Sequence, residues 1–294
     1  AAGGDVAVAG RGSAVKSPIL YFGGKGTLGP AIAGLLPAHE HYVEPYCGSL
    51  AVLLAKRSSA HETVNDLDGA LMTFWRVLRD RPGDLERACA LTPHSRAEFA
   101  AARDLDGVGE LEVARRVWVT LTQGRAARLT RSGWRHYCAP SNSGVGMPGY
   151  LAGYVARIGP AAERLRAVSL ECRPALDVIR KYGAVPGVLL YVDPPYVAST
   201  RPGSGESYRH EMRADDQHRE MAEALRDCRS AVVLSGYPSP LYDEELFPDW
   251  HRVTFAASTG QGGTWENRTE VLWSNRPLGH PTLFDDIPCS PATT

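Results

Sequence analysis

The sequence has 294 residues, 44% hydrophobic and 22% charged, enough apolar material for one large core or two modest ones and too much for a disordered chain. Its formal charge of −1 excludes a uniformly basic nucleic-acid binder, so any such contact has to come from a local basic face. No apolar run reaches the roughly 18 residues of a spanning helix. The cysteines are scattered without a CxxC pair or a His/Cys cluster, which points to free thiols, a reducing compartment and no metal site.

In chain order, the first residues read as a loose leader rather than a signal peptide, because no cationic stretch precedes their short apolar run. Tyr21-Phe22-Gly23-Gly24-Lys25-Gly26 looks like a phosphate loop, but the GxxxxGK[ST] spacing is absent. Its glycines can bring the backbone and Lys25 close to an anionic or amino-acid-like ligand, or simply form a turn. HYVEPYCGS from residue 41 reads as a short strand and a turn, and residues 50–58 suit a helix behind it. Residues 62–69, ETVNDLDG, read as a second strand ending in an acidic turn. Ala70, Leu71, Phe74, Trp75 and Leu78 then fall on one helical face, stopped near Pro82. This rhythm opens an α/β parallel sheet.

Between about 80 and 165 no strand is evident. Residues 111–123 read as a helix capped near Gly124, followed by a polar loop over 131–149 and a helix over 150–165. The segment carries Arg116, Arg125, Arg128 and Arg135 among aromatics such as Trp134 and His136, a mixture suited to phosphate contacts and base edges or to an ordinary solvated face. Strand signals resume at 167–172, and a helix is expected over 175–183. GVLLYV at 187–192 has the continuous apolar character of a strand buried on both faces. A glycine-rich loop over 199–209 leads to a helix over 215–226. Residues 230–236 read as another strand, and two antiparallel strands, RVTFAAST and RTEVLWSN, close the fold around QGGTWEN.

The sharpest feature is Asp193-Pro194-Pro195-Tyr196, directly after the buried run, because ligands of open α/β sheets bind at the carboxyl ends of strands. Two prolines restrict the backbone and lack N–H groups. An exocyclic amine with two N–H donors can be gripped by the Asp193 carboxylate and the Pro194 carbonyl while Tyr196 stacks on the attached ring. Such a grip aims the nitrogen lone pair at an electrophile and stabilises the positive charge that develops on it. The same four residues can also end a strand in an ordinary loop. Gly48 permits close approach of a ligand to the turn, Glu44 can accept from an ammonium group, and Asp66 stands where an acid takes ribose hydroxyls.

Taken together, YFGGKG, YVEPYCGS, VNDLDG and LLYVDPPY, in this order, resemble the D12 class of N6-adenine DNA methyltransferases, the Dam-like alpha group, over about residues 17–275. The resemblance implies a Rossmann-like S-adenosylmethionine-dependent methyltransferase sheet with an inserted, mainly helical target-recognition domain. The expected division is a catalytic and cofactor-binding domain over 16–79 and 166–280, a recognition insertion over 80–165, and tails at 1–15 and 281–294. It implies that Tyr21, Lys25, Glu44, Pro45, Tyr46, Cys47 and Gly48 hold the methionine end of S-adenosyl-L-methionine, with Lys25 also near the target base, that Asp66 takes the ribose, and that Asp193, Pro194, Pro195 and Tyr196 form the catalytic motif. Arg116, Arg125, Arg128, Arg135, Tyr208 and Arg209 are the residues expected to meet DNA. Where many relatives have an acid after the third strand, this chain has Cys172-Arg173-Pro174, leaving Asp177 as a candidate substitute.

The implied reaction is direct methyl transfer to adenine flipped from double-stranded DNA, without a metal. A cytoplasmic, nucleoid-associated bacterial or phage protein follows, with a cognate restriction nuclease as a further partner that the family allows. Rival readings are the same chemistry on RNA adenine or cytosine N4, a catalytically silent DNA-binding member of the fold, and a dinucleotide-dependent oxidoreductase, which lacks its glycine fingerprint here.

Overall fold

Short apolar runs bounded by turn residues build a seven-stranded sheet. The structure is a computed structural model that describes residues 15–130, 132–136, 146–197, 200, 209–210, 212, 214–261 and 264–279, with only the backbone of 256–261 and 264–268. The strands are β1 (His41–Glu44), β2 (His61–Asn65), β3 (Val168–Glu171), β4 (Val188–Val192), β5 (Ala231–Gly236), β6 (His251–Gln261) and β7 (Thr264–Ser274). Their spatial order is β3-β2-β1-β4-β5-β7-β6. The first five run parallel, and β7 runs antiparallel to both β5 and β6. Every residue of β4 and β5 is buried, as expected of central strands covered on both faces.

The helices follow from local signals. The Asp68 side chain caps α3 (Gly69–Asp80) by accepting from the backbone of Ala70 and Leu71. α9 (Ala175–Gly183) and α10 (Asp215–Arg226) fall on their expected spans and bury Val178 and Ile179, and Met221 and Leu225, in one core with β4 and β5. Between β2 and β3 the chain is helical: α3 is followed by α4 (Pro82–Ala90), α5 (Arg96–Ala101), α6 (Glu110–Gln123), α7 (Met147–Val155) and α8 (Ile158–Leu165). Trp75 of α3 and Trp118 of α6 are fully buried within one core that also receives the sheet residues Tyr42 and Val64.

Several elements differ from expectation. The helix behind β1 is only α2 (Ala51–Ala55), because Leu50 is left-handed (φ 56°) and Lys56 is extended. The helix expected over 150–165 is two, α7 and α8, interrupted near Arg157. Pro160 there has no N–H to continue the ladder. α6, by contrast, ends at Gly124 as expected, and that residue is extended (ψ 146°) and bridges Trp134. The two closing strands run through most of QGGTWEN as a long hairpin. α1 (Gly29–Leu35), α4 and α5 carried no clear sequence signal.

The strand order reverses between β1 and β4, which are direct neighbours with Val43 opposite Leu190. A crevice opens at such a reversal, beyond the carboxyl ends of the strands.

Candidate active site

That crevice is a cavity of about 340 Å³, a size typical of small-molecule sites. Tyr21, Lys25, Glu44, Pro45, Tyr46, Cys47, Gly48 and Asp66 all line it, together with Asp193 and Pro195. Pro194 and Tyr196 are buried in the same loop. The cavity therefore gathers four chain segments that the sequence keeps apart, around Tyr21, Glu44, Asp66 and Asp193.

The turns that form it are pinned from below. Asn65, fully buried at the end of β2, donates to the carbonyls of Pro45 (2.9 Å) and Arg173 (3.0 Å) and accepts from the Arg173 N–H (2.9 Å). One side chain thus ties together the exits of β1, β2 and β3. The Trp75 indole donates to the Gly48 carbonyl at 3.0 Å. Gly48 has φ +44°, and a Cβ there would meet the Tyr21 ring at 3.0 Å, so only glycine lets the tyrosine close over the turn.

Two carboxyls face the cavity under electrostatic load. Glu44 accepts from the Tyr42 hydroxyl (2.7 Å) and the Leu53 N–H (2.9 Å), yet burial still pushes its pKa up to about 8. Asp66 accepts from the backbone N–H groups of Gly48 (3.2 Å) and Asp68 (3.0 Å), and burial lifts it to about 6. Each is an acceptor whose charged form a bound donor would stabilise. Cys47 behaves differently from a nucleophile. Burial raises its thiol well above the usual range, the reverse of what thiolate chemistry needs.

The far wall is a tight polar cluster. The Lys25 ammonium, almost fully buried, donates to both oxygens of Asp193 at 2.7 and 2.8 Å and to the Gly23 carbonyl at 3.0 Å. It also donates to the Tyr196 hydroxyl, which donates in turn to Glu270 Oε1 at 2.9 Å. Ser235 Oγ donates to the same oxygen at 2.7 Å. The Tyr196 ring meets Tyr237 edge-on, with centroids 4.5 Å apart. Burial lifts the Asp193 carboxyl to about 6, against the opposing charge of Lys25. Burial also disfavours the Lys25 ammonium, but Asp193 and Glu270 outweigh it and hold its pKa above the usual value.

A sequence model described as D12 class N6 adenine-specific DNA methyltransferase matches residues 21–253, which include every segment of this cavity up to β5. The chain belongs to that class. The D12 enzyme thus methylates the N6 amine of adenine in DNA with S-adenosylmethionine as donor, and its sheet order accords with the Rossmann-like methyltransferase fold. Among solved structures it is similar to a precorrin 8W decarboxylase from Methanobacterium thermoautotrophicum, at 9% identity and TM-score 0.32, over 83% of this chain and 84% of that one. It is also similar to a candidate RNA methyltransferase from Pyrococcus horikoshii, at 11% identity and TM-score 0.25, over 45% of this chain and 69% of that one. No curated protein matches it. Among the described residues, no helix is long and apolar enough to cross a membrane.

The D12 enzyme's expected DNA-facing residues are dispersed. Arg116 is held by Glu112 (2.7 Å) and the Asp104 carbonyl (2.5 Å). Arg125 is exposed, with its Nε donating to the Trp134 carbonyl at 3.2 Å. Arg128 lies 4.1 Å over the ring of Phe22, a cavity residue, and Arg135 donates to the Tyr150 hydroxyl at 2.5 Å. Arg209 lines the cofactor-sized cavity and reaches Asp68 at 3.4 Å, while Tyr208 lies outside the described residues. Asp177 is half exposed and drawn toward Arg173 (3.7 Å). The cavity beside it is walled instead by Pro174, Ala175 and Leu176.

Sequence reasoning passed over Asn65 and Glu270, and it placed Ser235 and Tyr237 in a stretch (235–247) resembling a DNA-facing loop, whereas they lie against Glu270 and Tyr196. For Glu270 one signal existed. It is a charged residue at the head of Val271-Leu272-Trp273, a run in which every residue is buried.

Proposed function

We propose that this enzyme flips its target adenine out of the duplex into the space beside Asp193 and methylates it there at a specific short sequence. The observation that carries this reading is the Lys25 ammonium seated on both oxygens of Asp193. A nitrogen with N–H donors already occupies the position assigned to the adenine amine, so the carboxylate is built to hold one.

The cavity suits S-adenosylmethionine. Glu44 offers an acceptor for its ammonium group, Asp66 offers oxygens to ribose hydroxyls, and Pro174, Ala175 and Leu176 offer an apolar wall to a flat ring. When bound, this group supplies the electrophilic methyl. The protein's own part is to orient. Asp193 and the Pro194 carbonyl take the amine hydrogens, directing the lone pair and stabilising the charge that grows on nitrogen. Tyr196, fixed through its hydroxyl, presents its ring for stacking. Asp193 need not be a strong base for any of this.

The stretch over 80–165 is assigned to target reading. Its support is an aromatic stack in which Trp134 lies between His94 (4.4 Å) and His136 (5.2 Å), with the Arg96 guanidinium 4.7 Å over the same ring. Such a surface suits phosphates and exposed bases.

The test is methylation of unmethylated genomic DNA by the purified protein, mapped by single-molecule sequencing with Asp193→Ala as control. N6-methyladenine confined to one short motif and absent from the control is the expected result. Modification of another base, or methylation that survives in the control, would overturn the reading.

A further inference from the structure

In the free protein, Lys25 satisfies both oxygens that the adenine amine needs. Substrate entry must therefore displace an ammonium that is almost fully buried, and a buried cation left without a carboxylate is strongly unfavourable. A second carboxylate waits beside it. Glu270 Oε1 stands 3.4 Å from Lys25 Nζ, just beyond a good hydrogen bond, on a different strand from the catalytic loop. That oxygen is held in place by Ser235 (2.7 Å) and by the Tyr196 hydroxyl (2.9 Å). A shift of a few tenths of an ångström would turn the longer contact into a direct ion pair.

We propose that Glu270 is a positioning residue that gives Lys25 a second seat, releasing both oxygens of Asp193 to the incoming adenine amine. The proposal rests on the function proposed above. It also explains why a carboxylate is retained at the head of an apolar strand: it holds the Tyr196 hydroxyl and neutralises the ammonium at the moment Asp193 is taken. The Tyr196 hydroxyl accepts from Lys25 and has one proton to donate, for which Glu270 and the Asp193 carboxylate are both acceptors.

The proposal has a signature in pH. Lys25, Glu44, Tyr191, Tyr196, Tyr237 and Glu270 are the titratable groups that bear on Asp193 or its Lys25 partner from the surrounding strands and loops. Of these, Glu270 is a carboxylate sharing the same ammonium. Removing its charge leaves Lys25 wholly to Asp193, which then stays ionised to lower pH.

Glu270→Gln keeps the shape and an oxygen acceptor for Ser235 and Tyr196 while deleting the charge. We expect S-adenosylmethionine affinity and thermal unfolding close to wild type, and kcat/KM on DNA lower by about tenfold or more. The acid limb of the pH–rate profile should move to lower pH, and Glu270→Asp should move it back toward wild type. A purely structural role would lower the rate without moving the limb. Wild-type methylation together with an unmoved limb or an undiminished rate in Glu270→Gln overturns this inference alone. Failure of the wild type to methylate adenine overturns the proposed function, and this inference with it.

Discussion

At Asp66 the side chain accepts two backbone N–H groups and still titrates high, because burial outweighs them. A carboxyl whose folded pKa is raised favours the fold only while protonated. That contribution is lost as pH rises from the ordinary aspartate range through about 6, leaving a fixed penalty at neutral pH. Asp66→Asn should therefore remove this loss of stability between about pH 5 and 7, while its amide nitrogen can no longer accept from one of the two backbone N–H groups. The same change should weaken S-adenosylmethionine binding by about tenfold, since an amide offers a hydroxyl donor one oxygen fewer. Scanning calorimetry at about pH 5 and 7 and titration calorimetry on one sample check both halves, and a variant that keeps the wild-type pH dependence and binds normally would contradict them. For Asp193→Ala we expect transfer to disappear while cofactor affinity changes little, because Glu44 and Asp66, the acids proposed to hold the cofactor, are untouched. Retained turnover in that variant would remove the aspartate from the mechanism.

Among the elements, the strands of the sheet were readable because buried parallel strands are written as apolar runs: β4 and β5 fall within a residue of their expected bounds. α9 and α10 match their expected spans because their apolar spacing continues without interruption between clear stops. α1 and α5, with 7 and 6 residues, are too short for periodicity to stand out. The turns that line the cavity were legible as motifs, yet what holds them was not. Asn65 sits inside VNDLDG as one more polar residue, and only the neighbouring exits of β1 and β3 reveal its three bonds. Asn65→Ala should strand these buried backbone groups at a cost of about 3 kcal/mol. Urea unfolding measures that loss, and a variant within about 1 kcal/mol of wild type would mean that water or rearrangement replaces the amide.

For the whole molecule, net charge says little about where DNA lies, and the arginines differ in how far they are already committed. Arg116 is engaged by Glu112 and a carbonyl, whereas Arg125 is exposed. We expect Arg125→Ala to reduce the slope of log affinity against log salt by about one unit, as loss of one phosphate contact does. Arg116→Ala should leave that slope unchanged and lower stability by about 1 kcal/mol instead. Fluorescence anisotropy across a salt series separates the two, and wild-type slopes for both variants would mean that neither guanidinium meets the DNA backbone. Glu270 belongs to this scale too. No local pattern could link it to Asp193, because the link is made by β7 entering the sheet beside β5, where Ser235 pairs opposite Leu272.

That late insertion orders events during synthesis. The motif-bearing strands β1, β2 and β4 leave the ribosome first, but the carboxylate behind Lys25 and Tyr196 arrives with the last strand of the fold. On the role proposed for Glu270, a chain interrupted before β7 carries the cavity turns and the Asp-Pro-Pro-Tyr sequence but lacks the carboxylate that gives Lys25 its second seat. Stalled or clipped translation products should consequently be silent on the genome, and an unfinished enzyme should leave no stray marks on the DNA beside which it is made.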